Sequence, residues 1–206
     1  MMLKIWGRNT SSNVQKVLWC CGELDVPFER VDVGGPFGGN QDADYLALNP
    51  NGLVPTIQDG DLILWESNTI CRYLAATHQA EHLYPSAPAR RAGVERWMDW
   101  QLSSVGPPMG ALLYGLIRTS PEQRNHAAIE AARRKAMTAW TILEDALDAP
   151  FLAGPELTLA DIVLGTLVYR WHAFPIERPP LRKLKAWYER LRERPAFKTY
   201  IEIPIT

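Results

Sequence analysis

Short apolar stretches alternate with turns in the first third of the chain, and a longer, helical period takes over after about residue 78. Leu3 to Trp6 reads as a strand, and Val14 to Leu24 as a helix with Val14, Val17, Leu18 and Cys21 on one face. Phe28 to Val33 reads as a second strand. A Gly/Pro loop, Gly34 to Gly39, leads into a short helix at Ala43 to Leu48. Pro55 to Gln58 and Leu62 to Trp65 pair as a hairpin around Asp59-Gly60-Asp61, and Glu66 to Thr77 follows as a helix with Ile70, Tyr73 and Leu74 inward. The order is βαβ, then a loop and helix, then ββα.

Beyond a proline-bearing segment at 78–89 the pattern is helical throughout. Val94, Trp97, Met98, Leu102 and Val105 form a stripe predicted to end at Pro107-Pro108. Ile129, Ala132, Ala136, Trp140, Leu143 and Leu147 form a second. Thr158-Leu159-Ala160-Asp161 is a start signal for a helix over Ile162 to Trp171. Leu181, Leu184, Trp187, Tyr188 and Leu191 form the last, ended by Arg194-Pro195. The division is an α/β unit at 1–77, a linker at 78–89 and an all-α bundle at 90–206.

Composition narrows the partners. The 206 residues carry a formal net charge of −1, which gives no electrostatic footprint for nucleic acid or an anionic membrane. No signal peptide opens the chain and no apolar run reaches membrane-spanning length, so the expected place is the cytoplasm. Cys20, Cys21 and Cys71 have no metal-ligand spacing and read as core thiols of a reduced compartment; no metal is expected.

Three segments carry candidate chemistry. Pro55 cannot donate to a sheet ladder, so it belongs at a strand start or edge, where the backbone at Val54 stays open to a ligand. Glu66-Ser67 stands at a helix start, where amides and the macrodipole favour a carboxylate. Together they suit an extended, carboxylate-bearing peptide. Gly7 to Asn13 joins the first strand to the first helix, at the end of the sheet where ligands of such folds sit. Its hydroxyls either cap the helix or donate to a thiolate.

Three motifs, Asn49-Pro-Asn-Gly-Leu-Val-Pro-Thr-Ile57, Leu64-Trp-Glu-Ser-Asn68 with Arg72-Tyr-Leu74, and Leu157-Thr-Leu-Ala-Asp-Ile162, stand in one order over nearly the whole chain. In this the chain resembles the cytosolic glutathione transferases, bacterial members of the serine-type theta and nu classes most of all. The resemblance implies a thioredoxin-like N-terminal domain followed by a helical-bundle C-terminal domain, and a homodimer. Glutathione is the implied co-substrate, its thiolate attacking a small electrophile between the domains. Glutathione-dependent disulfide reduction or peroxide reduction, and a non-catalytic binding role, are the alternatives.

Residue by residue, the resemblance makes Val54 the backbone partner of the cysteinyl part and Pro55 a cis proline. Glu66 and Ser67 take the γ-glutamyl end, and Asn40 the glycyl end. Ser11 and Asn13 share the thiolate, with Ser12 in reserve. Asp161 is the family's buried capping residue. Arg8, Met109, Tyr114 and Trp171 are implied for the acceptor pocket, although aromatics at helical spacing equally read as core. Asp99 either reaches across a dimer or is a solvated helix residue. Two departures stand out: Leu53 replaces a polar residue found in several relatives, and Asn68 stands where theta-type chains often carry arginine.

Overall fold

The computed structural model describes residues 2–206. Four strands, β1 (Leu3–Trp6), β2 (Phe28–Val31), β3 (Thr56–Asp59) and β4 (Leu62–Trp65), form one mixed sheet in the order β2-β1-β3-β4. Strand β1 is parallel to β2, as a helical crossover between them requires, and antiparallel to β3. Asp59 pairs with Leu62, leaving a two-residue turn in which Gly60 takes φ +59°. The alternation in β1 puts Leu3 and Ile5 in the core.

Helix α1 (Ser12–Glu23) is the crossover, and it is enclosed. Every residue from Val14 to Cys21 is buried, because α1 packs against α3 (Ser67–Thr77) of its own unit and against α7 (Leu159–Ala173) and α9 (Pro195–Tyr200) of the helical unit. The approach to α7 is close. A Cβ on Gly165 would stand 2.6 Å from the Trp19 ring, so only glycine fits there. Trp19 also meets Phe197 edge-on, with centroids 4.9 Å apart. A short α2 (Ala43–Leu48) precedes the turn into β3.

In the helical unit, α4 (Pro88–Trp100) begins inside the segment expected to be linker. The expected stop at Pro107-Pro108 is not observed. The chain stays helical through a π turn at Gln101–Val105, α5 (Gly106–Leu113) and a second π turn at Tyr114–Arg118. Both prolines fall in the first turn of α5, where a missing amide costs little, and the wider π turn ahead of them takes up the proline rings. Helices α6 (His126–Ala146) and α8 (Arg182–Arg192) complete the bundle, and Pro195 opens α9 as well as ending α8. Among the described residues no helix is long and apolar enough to cross a membrane.

The first turn of α7 is closed by its own side chains. Asp161, fully buried, accepts from the Leu152 and Thr158 amides (both 2.9 Å), the Thr158 hydroxyl (3.0 Å) and Trp187 Nε1 (2.9 Å). With Thr158 it forms a capping box.

Candidate functional site

The start of α1 is built differently. Ser11 is the N-cap residue, yet its hydroxyl makes no capping hydrogen bond, and the first turn contains no acid. Its main chain is held by Ser11 N donating to Arg8 O (3.2 Å) and by Ser11 O accepting from Gln15 N (2.8 Å). The first-turn amides and the Ser11 hydroxyl are therefore left without a capping partner at the positive end of the helix dipole; of the three candidates here, Ser12 and Asn13 line the cavities described below and Ser11 lines neither.

Beside this helix start runs a small groove of about 50 Å³, lined by Asn13, Leu53, Val54, Pro55, Glu66 and Ser67 among others. The Val54–Pro55 peptide is cis, and among the described residues no hydrogen bond engages the Val54 backbone. The turn before it is pinned from behind. The Leu53 carbonyl accepts from Tyr45 Oη (2.6 Å) and Asn49 Nδ2 (2.8 Å), and Asn49 Nδ2 also reaches Thr56 Oγ1 (3.1 Å). The opposite wall is the start of α3. Glu66 takes φ +74°, a left-handed conformation unusual for a side-chain-bearing residue, and so turns the chain sharply into the helix. Ser67 is buried and donates to Asn13 Oδ1 at 3.4 Å, joining the two walls.

A second cavity, of about 270 Å³, opens between the units. Ser12 and Asn13 line it from the first unit, and Gln101, Met109, Leu113 and Arg170 from the second. Arg170 is buried there. Its Nη2 donates to Thr10 O (2.8 Å) and Gln15 Oε1 (3.5 Å), while Nε has no partner. Burial lowers its pKa to about 10, with Arg118 and Arg8 nearby adding to the effect, so the guanidinium stays charged. Neither Arg8 nor Arg170 has a carboxylate within ion-pair distance among the described residues, whereas Arg118 donates to the Thr206 oxygen at 3.1 Å. This wall of the cleft is positive.

The remaining candidates fall elsewhere. Asn40 donates to Gly52 O (2.8 Å), bracing the loop against the turn, and is not part of either cavity lining. Trp171 is core, packed on Trp140 at 6.3 Å, so the helical aromatic spacing there marks packing. Tyr114 projects from the second π turn and is 65% exposed, with Arg118 over its ring. Arg8 lies along the backbone of Gly35, where a Cβ would meet its Cδ at 2.9 Å. Asp99 is exposed and paired with Arg72 at 2.9 Å. All three cysteines are buried; a hydrogen bond with Cys71 and then burial raise the thiol pKa of Cys20, and burial raises that of Cys21, so neither supplies a ready thiolate. Among the described residues no cluster of three or more potential ligands could hold a metal ion.

The sequence pattern missed Lys16 and Gln101, and marked Asn68 only as a departure from theta-type chains. Lys16 is fully buried, and its Nζ donates to Gln101 Oε1 (2.7 Å), Asn68 Oδ1 (3.0 Å) and Ser67 Oγ (3.5 Å). Asn68 Nδ2 in turn donates to Met98 O at 3.0 Å. The available signal was a lysine inside an apolar run, which either faces solvent or needs buried partners.

A thioredoxin-like unit with an open backbone edge at a cis proline, followed by a helical bundle, defines the class. The chain matches the glutathione S-transferase N-terminal domain over residues 10–77 and the glutathione S-transferase C-terminal domain over 127–190. It belongs to the glutathione S-transferase family and is a transferase. Glutathione S-transferase GstB of Escherichia coli (strain K12) is 42% identical over 208 residues, covering 100% of both chains. Glutathione S-transferase 3 of Zea mays is 33% identical, over 98% of this chain and 95% of the maize protein. Among solved structures, the theta class enzyme of Xanthomonas axonopodis pv. citri with glutathione bound superposes with a TM-score of 0.96 at 48% identity, covering 99% of each chain. Glutathione transferase F2 of Populus trichocarpa gives a TM-score of 0.86 at 30% identity, over 97% of each.

Proposed function

We propose that this transferase binds glutathione along the groove and holds its thiolate at the start of α1. The observation that carries the reading is the juxtaposition of three unfilled features: the unpaired Val54 backbone, the Glu66–Ser67 helix start, and the uncapped start of α1, which reaches the groove through Asn13. Val54 pairs with the cysteinyl backbone, and Pro55 shapes the edge. Ser67 and the first amides of α3 take the γ-glutamyl carboxylate, and Glu66 faces the ammonium.

The sulfur then lies near Ser11 and Asn13. A hydroxyl, an amide and the helix dipole all favour the anionic form of a thiol whose free pKa is about 8.5. The thiolate attacks an electrophile held in the interdomain cavity, which Met109 and Leu113 line with apolar surface and Arg170 with positive charge. Acceleration comes from proximity and from lowering the cost of the thiolate. The functional unit in this reading is a cytoplasmic homodimer.

The test is calorimetric titration with glutathione, followed by assays with an aromatic halide and a small mixed disulfide, on wild type and Ser11→Ala. Saturable binding and turnover of the halide are expected, with kcat lowered about 100-fold in Ser11→Ala. Turnover of the disulfide alone would make the enzyme a reductase. Absence of binding overturns the reading. Light scattering of the purified protein checks the dimer.

A further inference from the structure

Lys16 is an expense that the fold alone does not explain. Its ammonium is wholly enclosed, and its three acceptors are neutral oxygens on Ser67, Asn68 and Gln101. Among the described residues no carboxylate lies within 4.0 Å of it. The charged and titratable groups that face it are Glu66, just before α3, and Cys71 on α3; Asp99, on α4, is paired with Arg72 on the outer surface. Burying a cation without a counter-charge is costly, and a neutral amide donor would tie the same elements together without that cost. Lys16 thus has hydrogen-bond acceptors but no counter-charge in contact with it among the described residues.

The place where an anion would complete this pairing is on the page. Lys16 Nζ lies 3.5 Å behind Ser67 Oγ, the hydroxyl at the first residue of α3. It also reaches Asn68 Oδ1, at the second residue of α3, at 3.0 Å. We propose that Lys16 is a positioning residue for the γ-glutamyl carboxylate of glutathione, its buried ammonium serving as counter-charge to a carboxylate seated on Ser67 and the first amides of α3. The proposal rests on the glutathione reading of this groove.

The test compares two peptides by equilibrium titration: glutathione, and 4-aminobutyryl-cysteinylglycine, which keeps the amine, thiol and glycyl end but lacks the α-carboxylate. Wild type is expected to prefer glutathione by about tenfold or more. Lys16→Met should bring the two within about twofold while binding the decarboxylated peptide as wild type does, and Lys16→Arg should retain most of the preference. A structural strut would weaken both peptides alike. If Lys16→Met keeps the preference, the proposal is overturned while the glutathione site stands; if wild type binds neither peptide, both fall. A measurement on wild type alone covers a variant that does not fold. Lys16 titrates at about 8, so the preference should fade between pH 7 and 10, and a preference constant over that range overturns the proposal.

Discussion

Two buried charges lie near the starts of α1 and α7, and the chain treats them in opposite ways. Asp161 is met by four donors, two of them backbone amides, and closes the first turn of its own helix. Lys16 is met by three neutral acceptors, and the helix that carries it starts with no capping bond and no acid. One helix end is internally complete and the other is left open. The complete end holds the bundle together, whereas the open one faces both cavities. Satisfied polar groups report on stability, and unsatisfied ones report on a ligand.

The largest effect should come from breaking the complete end. Asp161→Ala leaves the Leu152 amide, the Thr158 amide and hydroxyl, and Trp187 Nε1 without their acceptor in a fully buried place. The expected loss is about 3–5 kcal/mol, which in a chain of this length lowers Tm by about 10 °C. Thermal and urea unfolding measure it. At a temperature where the variant remains folded, its KM for glutathione should stay close to that of wild type, since Asp161 touches neither cavity.

Lys16 should make stability depend on pH. Burial holds it at about 8, below its ordinary 10.5. A base whose folded pKa is lowered is protonated in the unfolded chain but not in the folded one between those two values. Stability therefore rises with pH from about 8 to 10.5, and below 8 the full cost of the buried charge is present. The rise amounts to about 3 kcal/mol and should appear in wild type minus Lys16→Met, followed by urea unfolding at pH 7, 8, 9 and 10. A flat difference would mean that Lys16 is far better satisfied than its neutral partners suggest.

The two ends also differ in how far they were legible in the sequence. Thr158 and Asp161 lie three residues apart, and a capping box is a local rule, so its start signal was readable. The Val54-Pro55 edge and the Glu66-Ser67 helix start were local as well, and β1 follows the alternation of its apolar residues while β4 is a short apolar run next to a turn. The contacts of Lys16 are not local: Gln101 is 85 residues away, and it reaches the lysine only because α4 continues into a π turn. The same π turn hid the passage through Pro107-Pro108. Trp171 was ambiguous for a different reason, since one aromatic spacing serves core and pocket alike. Arg170 gave no signal because its partner Thr10 lies 160 residues away.

Ser11 tests the open end directly. Its hydroxyl contributes no capping bond, so Ser11→Ala should shift stability by less than about 0.5 kcal/mol, below the usual cost of losing an N-cap. Activity should fall about 100-fold, through kcat rather than the affinity for glutathione. Urea unfolding and steady-state kinetics on one preparation separate the two. A stability loss near 1 kcal/mol with activity intact would turn α1 into an ordinary capped helix.

Thr158→Val is the mirror of that experiment and the smallest effect of the four. It keeps the shape and the backbone amide that donates to Asp161 but deletes the hydroxyl, which donates to the same carboxylate at 3.0 Å. Three donors to Asp161 remain, so the carboxylate stays bound and the loss is limited to one hydrogen bond and part of a cap, about 1 kcal/mol. Urea unfolding should register that loss, and kinetic constants should not move. The pair of substitutions then crosses: removing a hydroxyl at α7 costs stability and no activity, while removing one at α1 costs activity and no stability. Two serine-like residues at two helix starts, alike in sequence, are told apart by which of them the folded chain has already used.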